Sequence, residues 1–175
     1  MNNIQNGSVQ KVGTLSKEAK TFFEIVQNTP SLNTTGFLSI TLLKILSSAP
    51  GSEIHVFLSE TKEVVGGILL SDISALRIRS GNLSDKNRRE AFTRIHNEGY
   101  KYASHLVVKE SERGKGYVDL IWDIHQKFYL VLLNKIHEEK IIQHGGEVIV
   151  DRNGEPLHGI SNPNALYLKV DNTDQ

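Results

Sequence analysis

The amino-acid sequence predicts a mixed α/β or α+β fold. Segments with helical spacing of apolar residues and short apolar runs typical of strands follow one another in the approximate order ααββ(α)βαββ, separated by turn residues. The length of 175 residues is typical of one domain, so we expect a single domain over residues 1–175. The polar ends, 1–13 and 171–175, are expected to be flexible.

The N-terminal half is expected to form two helices followed by a β-hairpin. Residues 16–28 have helical spacing and Ser16 as a cap, and the more apolar residues 36–48 fit a buried helix. Strands are expected over 53–59 and 63–71, because a short polar link joins two apolar runs. A pair of glycines in the second strand indicates a bulge or a close backbone approach.

The C-terminal half is expected to alternate helices and strands. The predicted elements are, in order, a helix over 85–96 capped by Ser84, a strand over 102–108, a long helix from 116 to about 140, a strand over 147–150, a turn at 151–154 and a strand over 165–170.

Composition excludes several classes of protein. Twenty basic residues balance 20 acidic ones, which argues against a protein that coats nucleic acid or an anionic membrane. The chain has no Cys, which excludes disulfide scaffolds, thiolate metal sites and cysteine nucleophiles. Its apolar windows are shorter than the roughly 20 residues that cross a bilayer, and its N-terminus does not resemble a secretory signal. We expect a cytoplasmic protein with no membrane or nucleic-acid partner.

One segment, residues 77–95, is locally basic. It contains six basic residues against two acidic ones, a net charge of +4. A solvated helix face explains such a segment, and so does a site for an acidic partner such as an acyl carrier protein. Nucleic acid is the weakest of the three interpretations, because no aromatic residues are interleaved with the charges.

The most informative segment is an apolar strand that runs into a basic turn with two glycines. Gly114 and Gly116 allow the backbone to approach a ligand closely, and Arg113 and Lys115 add positive charge. With a helix N-terminus expected after the turn, a phosphate or pyrophosphate is the natural ligand. A solvated turn is the alternative, and the spacing matches neither a Walker A loop nor a Rossmann fingerprint.

The segment Arg113-Gly114-Lys115-Gly116-Tyr117-Val118 resembles motif A of the GNAT superfamily of acyl-CoA N-acyltransferases. That motif is Arg/Gln-x-x-Gly-x-Gly/Ala, after a strand and before a helix, and the strand end at Val108 matches it in phase. The resemblance covers roughly residues 15–135 and also includes the two N-terminal helices and the glycine-containing strand. It implies a GNAT-like, mostly antiparallel central sheet flanked by helices.

The resemblance also implies the chemistry. Acetyl-CoA or another acyl-CoA would be the donor, an amine of a small molecule or a peptide would attack the thioester directly, and no metal would be needed. The loop would bind the pyrophosphate and the strand end the pantetheine arm, which implies these cofactor-binding residues: Leu106, Val107, Val108, Arg113, Gly114, Lys115, Gly116, Tyr117 and Val118.

Three residues are candidates for proton transfer. His105 on the strand and Glu110 just after it are candidate general bases, and strand alternation puts His105 on the face opposite its neighbours. In the family, a C-terminal Tyr protonates the leaving thiolate; Tyr167 is the corresponding candidate here, although its spacing differs and its segment resembles a strand. The seven histidines lack the spacing of metal ligands.

Departures from the family pattern leave alternatives open. Val118 replaces the usual Gly or Ala, Glu110 takes a position often held by Pro, and the connection over 72–101 is long. These departures keep open a catalytically weak acyl-CoA-binding module and a carrier-protein-dependent acyl amide or lactone synthase of the same fold. The sequence does not identify the acceptor or the acyl length, and a homodimer stays open.

Overall fold

The computed structural model describes residues 7–29, 40–72, 86–132, 135–159 and 164–173. The elements in chain order are β1 (Ser8–Val12), α1 (Lys17–Gln27), α2 (Ile40–Ser48), β2 (Glu53–Leu58), β3 (Val64–Ser71), α3 (Lys86–Asn97), β4 (Lys101–Val108), two 3₁₀ helices (Glu110–Glu112 and Tyr117–Asp123), β5 (Lys127–Leu132), α4 (Lys135–Gln143), β6 (Glu147–Val148) and β7 (Leu166–Asp171).

The strands form a seven-stranded sheet in the order β1-β2-β3-β4-β5-β7-β6. Pairing is antiparallel for β1 with β2, β2 with β3, β5 with β7 and β6 with β7. Strands β4 and β5 pair in parallel, through Lys101↔Phe128 and Tyr102↔Tyr129. The predicted mixed fold with a mostly antiparallel sheet is therefore confirmed. The chain divides into two compact units, and the single domain stays a prediction.

The first unit comprises Met1–Ser71 and Ala103–Ile124. Ser16 caps α1 as predicted, because its Oγ accepts a hydrogen bond from the backbone N–H of Ala19 at 3.1 Å. The buried face of α1 includes Phe22, whose ring packs on β3 where Gly67 leaves room for it. The β2–β3 hairpin is confirmed, and α2 lies within the predicted 36–48, of which 36–39 fall outside the described residues.

The second unit comprises Asp72–Tyr102 and His125–Gln175. Its core is built on aromatic side chains: Phe92 stacks on Tyr129 with ring centroids 5.5 Å apart and meets Tyr167 edge-on at 5.1 Å. The helix expected over 85–96 is α3, Lys86–Asn97, while Ser84, its predicted cap, falls outside the described residues. The turn at 151–154 is confirmed, since the Asp151 carboxylate accepts hydrogen bonds from two backbone N–H groups of that turn.

The long helix predicted from 116 to about 140 is wrong. A seven-residue 3₁₀ helix, strand β5 and helix α4 occupy that stretch. The apolar residues there recur at helical spacing, but Phe128–Leu132 is also a continuous run of aromatic, β-branched and leucine residues. Such a run is typical of a strand with neighbours on both sides, and β5 pairs with both β4 and β7.

Parts of both segments that the sequence predicts to be flexible belong to strands. Residues Ser8–Val12 of the expected flexible segment form β1, which pairs along its whole length with β2. At the other end, β7 includes Asp171, and Asn172 is buried. The sequence analysis missed both features because short polar strands such as SVQKV carry weak local signals, and their pairing partners lie far away in sequence.

Candidate functional site

Strand β4 carries an unusual backbone conformation at a predicted site residue. His105 has a φ of 54°, in the left-handed region that a non-glycine residue rarely adopts inside a strand. The side chain is 1% exposed, and its Nδ1 lies 2.9 Å from the Oγ of Ser104. The expectation that His105 faces away from its neighbours assumed an extended strand. The left-handed backbone at His105 interrupts that alternation, so the expectation no longer follows. Strain of this kind is enriched at functional sites.

The end of β4 is tied to its surroundings by two hydrogen bonds. The backbone N–H of Lys109 donates to the carbonyl of Val65 on β3 at 2.7 Å. The Nε of Arg113 donates to the carbonyl of Val108 at 3.2 Å, so the Arg113 side chain folds back on the strand end. This second bond holds the turn against the strand and leaves the two terminal nitrogens of the guanidinium as further donors.

The turn after β4 contains the two predicted glycines in left-handed conformation. Gly114 has a φ of 80° and Gly116 a φ of 88°, which a residue with a side chain adopts only at a cost. A Cβ built on Gly114 would meet no atom within 4 Å, so the backbone there faces open space. Within the described part of the chain, the N–H groups of residues 114–118 donate no hydrogen bond.

Five consecutive N–H groups without a hydrogen-bond acceptor are donors available to an anion. These N–H groups replace the helix N-terminus that the sequence predicted as the anion-binding feature. The expected long helix, with its dipole aimed at the ligand, is a 3₁₀ helix of seven residues, which is too short to carry that argument. Anion binding at this turn would rest on the free N–H groups and on the nearby basic side chains.

Not all the positive charge of the turn is available. The Lys115 ammonium lies 2.9 Å from a carboxylate oxygen of Glu112, and this hydrogen bond raises the pKa of Lys115.

Val118, the residue that departs from the family pattern, is 38% exposed, so it does not fill the core. Tyr117 is buried, and its Cε1 would lie 2.9 Å from a Cβ added at Gly7, next to β1.

A cavity of about 790 Å³ lies in the first unit beside this turn. It is lined by the C-terminal half of α1, the start of β3 and the residues that follow β4: Thr21, Glu24, Ile25, Asn28, Thr29, Val64, Lys109, Glu110, Ser111 and Arg113. Two predicted residues, Glu110 and Arg113, are therefore brought together here. The α1 residues were missed, although Thr21, Glu24 and Asn28 share one face of a helix by their spacing.

The remaining predicted residues are distributed as follows. Leu106, Val107 and Val108 form the end of β4, and His105 does not line the cavity. Tyr167 belongs to the second unit, where its ring packs in the aromatic core and is 5% exposed. Its surroundings favour a packing role, and its role as an acid stays a prediction.

Two basic residues of the segment, Lys86 and Arg94, have contacts within the second unit. Arg94 donates to the carbonyl of Val150 at 2.7 Å, and the Glu90 carboxylate lies within 4 Å of both Lys86 and Arg152. Arg77 and Arg79 fall outside the described residues. These contacts favour a solvated helix face over a docking site for an acidic partner.

None of the helices described is long and apolar enough to cross a bilayer. No cluster of three or more His, Asp or Glu side chains with the geometry of a metal site occurs in the described ranges.

The fold is similar to that of several solved acyltransferases. An acyl-CoA N-acyltransferase from Pseudomonas aeruginosa superimposes with a TM-score of 0.56 at 9% identity, over 94% of this chain and 97% of that one. A structure of histone acetyltransferase HPA2 and related acetyltransferase from Corynebacterium glutamicum gives 0.56 at 12% identity, over 93% and 94%. FeeM, an N-acyl amino acid synthase from uncultured soil microbes, gives 0.54 at 11%, over 95% and 91%.

No protein-family model and no curated protein matches the chain. At these identities the structural likeness establishes the fold alone, and the fold agrees with the family that the motif in the turn resembles. The chain has the fold of the GNAT acyl-CoA N-acyltransferases.

Proposed function

We propose that this protein is an acyltransferase that moves an acetyl or longer acyl group from acyl-CoA to an amine. The observation that carries the proposal is the turn at residues 113–118, with its two left-handed glycines and its free N–H groups, in a chain with the GNAT fold whose sequence at this turn resembles motif A. Fold alone does not determine function, so the proposal depends on this turn.

The donor set of the turn fits a pyrophosphate. The free N–H groups of residues 114–118 and the terminal nitrogens of Arg113 would bind its oxygens, and the open space beside Gly114 would admit it. The backbone of Leu106–Val108 would bind the pantetheine arm. When bound, acyl-CoA supplies an activated thioester, so the protein needs no nucleophile of its own.

Glu110 is the general base that the cavity favours. Its carboxylate lines the cavity beside the turn, whereas His105 is buried and is bonded to Ser104 through Nδ1. The ammonium of the acceptor gives a proton to Glu110, the neutral amine forms a bond to the acyl carbon, and the carbon–sulfur bond breaks. The nitrogen loses its second proton to solvent as the amide forms, and the thiolate takes a proton from solvent.

The binding test is a titration with acetyl-CoA followed by calorimetry. Saturable binding is expected for the wild-type protein, and Gly116→Glu is expected to abolish it because a carboxylate would occupy the anion site. Gly154→Glu is the matched control, since Gly154 also has a φ of 80° and faces open space, but lies in the turn at 151–154. No binding at millimolar acetyl-CoA, or equal loss in both variants, would refute the proposal.

The catalytic test measures the free thiol released from acetyl-CoA with a panel of amines. We expect Glu110→Gln to lower the rate by about 10²–10⁴-fold, as is usual for the loss of a general base. The control Glu60→Gln, at an exposed residue outside the cavity, should leave the rate unchanged. His105→Asn tests His105, the second candidate base, because Asn tolerates the left-handed backbone conformation but does not accept the proton.

Tyr167 packs in the aromatic core of the second unit, which favours a packing role over that of an acid, and this favours one other function, an acyl-CoA-binding module without catalysis. It predicts binding of acetyl-CoA that Gly116→Glu abolishes, together with no thiol release with any amine of the panel.

A further inference from the structure

The turn that carries the proposed anion site brings one acidic and one basic side chain into contact. The Lys115 ammonium donates a hydrogen bond to a carboxylate oxygen of Glu112 at 2.9 Å. The φ and ψ of Arg113, −68° and 150°, and the φ of Gly114, 80°, are close to those of the central residues of a type II turn. Such a turn brings its first and fourth residues together, and these are Glu112 and Lys115.

This ion pair occupies the ammonium group but leaves the backbone donors open. Within the described part of the chain the N–H groups of residues 114–118 donate no hydrogen bond, so the Glu112 carboxylate accepts from none of them. The side chains of Glu112 and Lys115 are 26% and 40% exposed, so water and salt screen their attraction. The anion site therefore combines open N–H donors with a lysine that is held weakly by an anion of the protein itself.

A pyrophosphate group can replace the carboxylate as the partner of Lys115. It carries more negative charge than a carboxylate, and it also gains the N–H donors that Glu112 leaves open. Glu112 does not leave with the exchange, because its backbone N–H donates to the carbonyl of Lys109 at 2.8 Å and holds it at the turn. Its carboxylate would then lie unpaired near a second anion. The broken ion pair and this repulsion both weaken ligand binding.

We propose that Glu112 is an internal competitor of the ligand pyrophosphate for Lys115 and thereby sets how tightly the turn binds acyl-CoA. The proposal rests on the proposed function for the identity of the ligand. Acyl-CoA and the product CoA carry the same pyrophosphate, so binding energy at this group does not lower the barrier of the reaction, and an excess of it slows product release. Glu112 reduces this shared affinity and so favours the exchange of CoA for a new acyl-CoA.

The test is calorimetry on the full chain at low salt with two probes, acetyl-CoA and inorganic pyrophosphate. Glu112→Gln keeps the size of the side chain and removes its charge, so it should tighten the binding of both probes by about three- to tenfold. Glu60→Gln is the matched control, because it removes one negative charge from an exposed residue of the same unit. An increase no larger in Glu112→Gln than in Glu60→Gln, or weaker binding by Glu112→Gln, would refute the competition.

A double-mutant cycle tests the exchange of partners directly. In the wild-type protein Lys115 leaves one anion for another when the ligand binds, whereas in Glu112→Gln it is unpaired beforehand. Lys115→Gln should therefore weaken acetyl-CoA binding by at least about twofold more in the Glu112→Gln background than in the wild-type background. Equal effects in the two backgrounds would contradict the exchange. Melting temperatures close to that of the wild-type protein would show that the variants fold.

Product inhibition gives a kinetic readout that a purely structural role of Glu112 would not produce. CoA should inhibit Glu112→Gln more strongly than the wild-type protein, by the same factor as the gain in affinity, because CoA retains the pyrophosphate. Unchanged or weaker inhibition by CoA would count against the competition.

The two probes separate this inference from the proposed function. If inorganic pyrophosphate binds more tightly to Glu112→Gln but acetyl-CoA binds neither protein, the competition stands and the acyl-CoA donor is refuted. If acetyl-CoA binds and thiol is released, but Glu112→Gln binds no more tightly than Glu60→Gln, the acyltransferase stands and the competition is refuted. If neither probe binds, the turn is not an anion site and both proposals fail.

Discussion

Replacing Gly66 by Ala tests whether the close approach of β3 to β4 is a packing requirement. A Cβ built on Gly66 falls inside the van der Waals limit of the Val107 carbonyl oxygen, and it also lies 3.0 Å from the Val108 Cα and 3.2 Å from the Phe57 ring. The two nearest atoms belong to the backbone of β4, so a rotamer change cannot relieve the contact. The strands must move apart, and the hydrogen bond from Lys109 to β3 is strained as they do.

Overpacking of a rigid site typically lowers the free energy of unfolding by about 1–3 kcal/mol, and a clash with backbone atoms belongs at the upper end of that range. For a chain of this length each kcal/mol lowers the melting temperature by roughly 2–4 °C, so Gly66→Ala should lower it by about 6–12 °C. The matched control is Gly13→Ala, where an added Cβ meets nothing within 4 Å and φ is ordinary. That variant should be neutral or slightly more stable.

Thermal unfolding followed by circular dichroism, supported by a urea titration, measures both variants. A fall of less than about 2 °C for Gly66→Ala would refute the reasoning, because β4 would then be free to shift. A fall of equal size in Gly13→Ala would also refute it, since the effect would not come from the contact with β4. Because Val107 and Val108 are proposed to bind the pantetheine arm, we also expect weaker acetyl-CoA binding by Gly66→Ala than by Gly13→Ala.

Three further predictions test local features. Ser16→Ala should lower the free energy of unfolding, measured by a urea titration, by about 1 kcal/mol, because it removes the oxygen that accepts a hydrogen bond from the Ala19 N–H. Ser16→Asp should retain the stability, and equal loss in both variants would contradict the cap. His105→Val should be about 1–3 kcal/mol less stable than His105→Asn, because a β-branched residue is strained at a φ of 54°; equal stability would show that the backbone relaxes there. The hydroxyl and N–H of Thr173 hold the pKa of Asp171 below its usual value, so the ionised carboxylate stabilises the fold above about pH 4 and this contribution is lost as pH falls through the lowered pKa. Thr173→Val should raise the Asp171 pKa in an NMR titration and lower stability at pH 7, with a loss that shrinks as pH falls through the lowered pKa; an unchanged pKa would contradict the hydrogen bond at 2.6 Å.

Features that depend on neighbours in the sequence were predictable. The α1 helix was found from Ser16 and the spacing of its apolar residues, because capping and amphipathic burial act within a few turns of chain. The glycines at 114 and 116 were found for the same reason, since a left-handed backbone is a property of the residue itself. The turn residues and the resemblance they carry therefore came from local information.

Features that depend on distant partners were not predictable. The segment Lys127–Leu132 fits a helix by spacing, and only its pairing with strands on both sides makes it β5. The left-handed backbone at His105 also breaks the alternation that the strand pattern predicts. Pairing energy comes from backbone groups that every residue shares, so local sequence carries little information about it.

Local propensity and periodicity specify the helix α1, the β2–β3 hairpin and the basic, glycine-containing turn. Which side chains meet at that turn depends on the packing of distant elements. That packing brings Glu24 of α1 to the same cavity as Lys109 and Glu110, although about 85 residues separate them along the chain. The physical reason is that α1 packs on β3, and β3 lies beside β4, so burial of the apolar face of α1 carries its polar face to the end of β4.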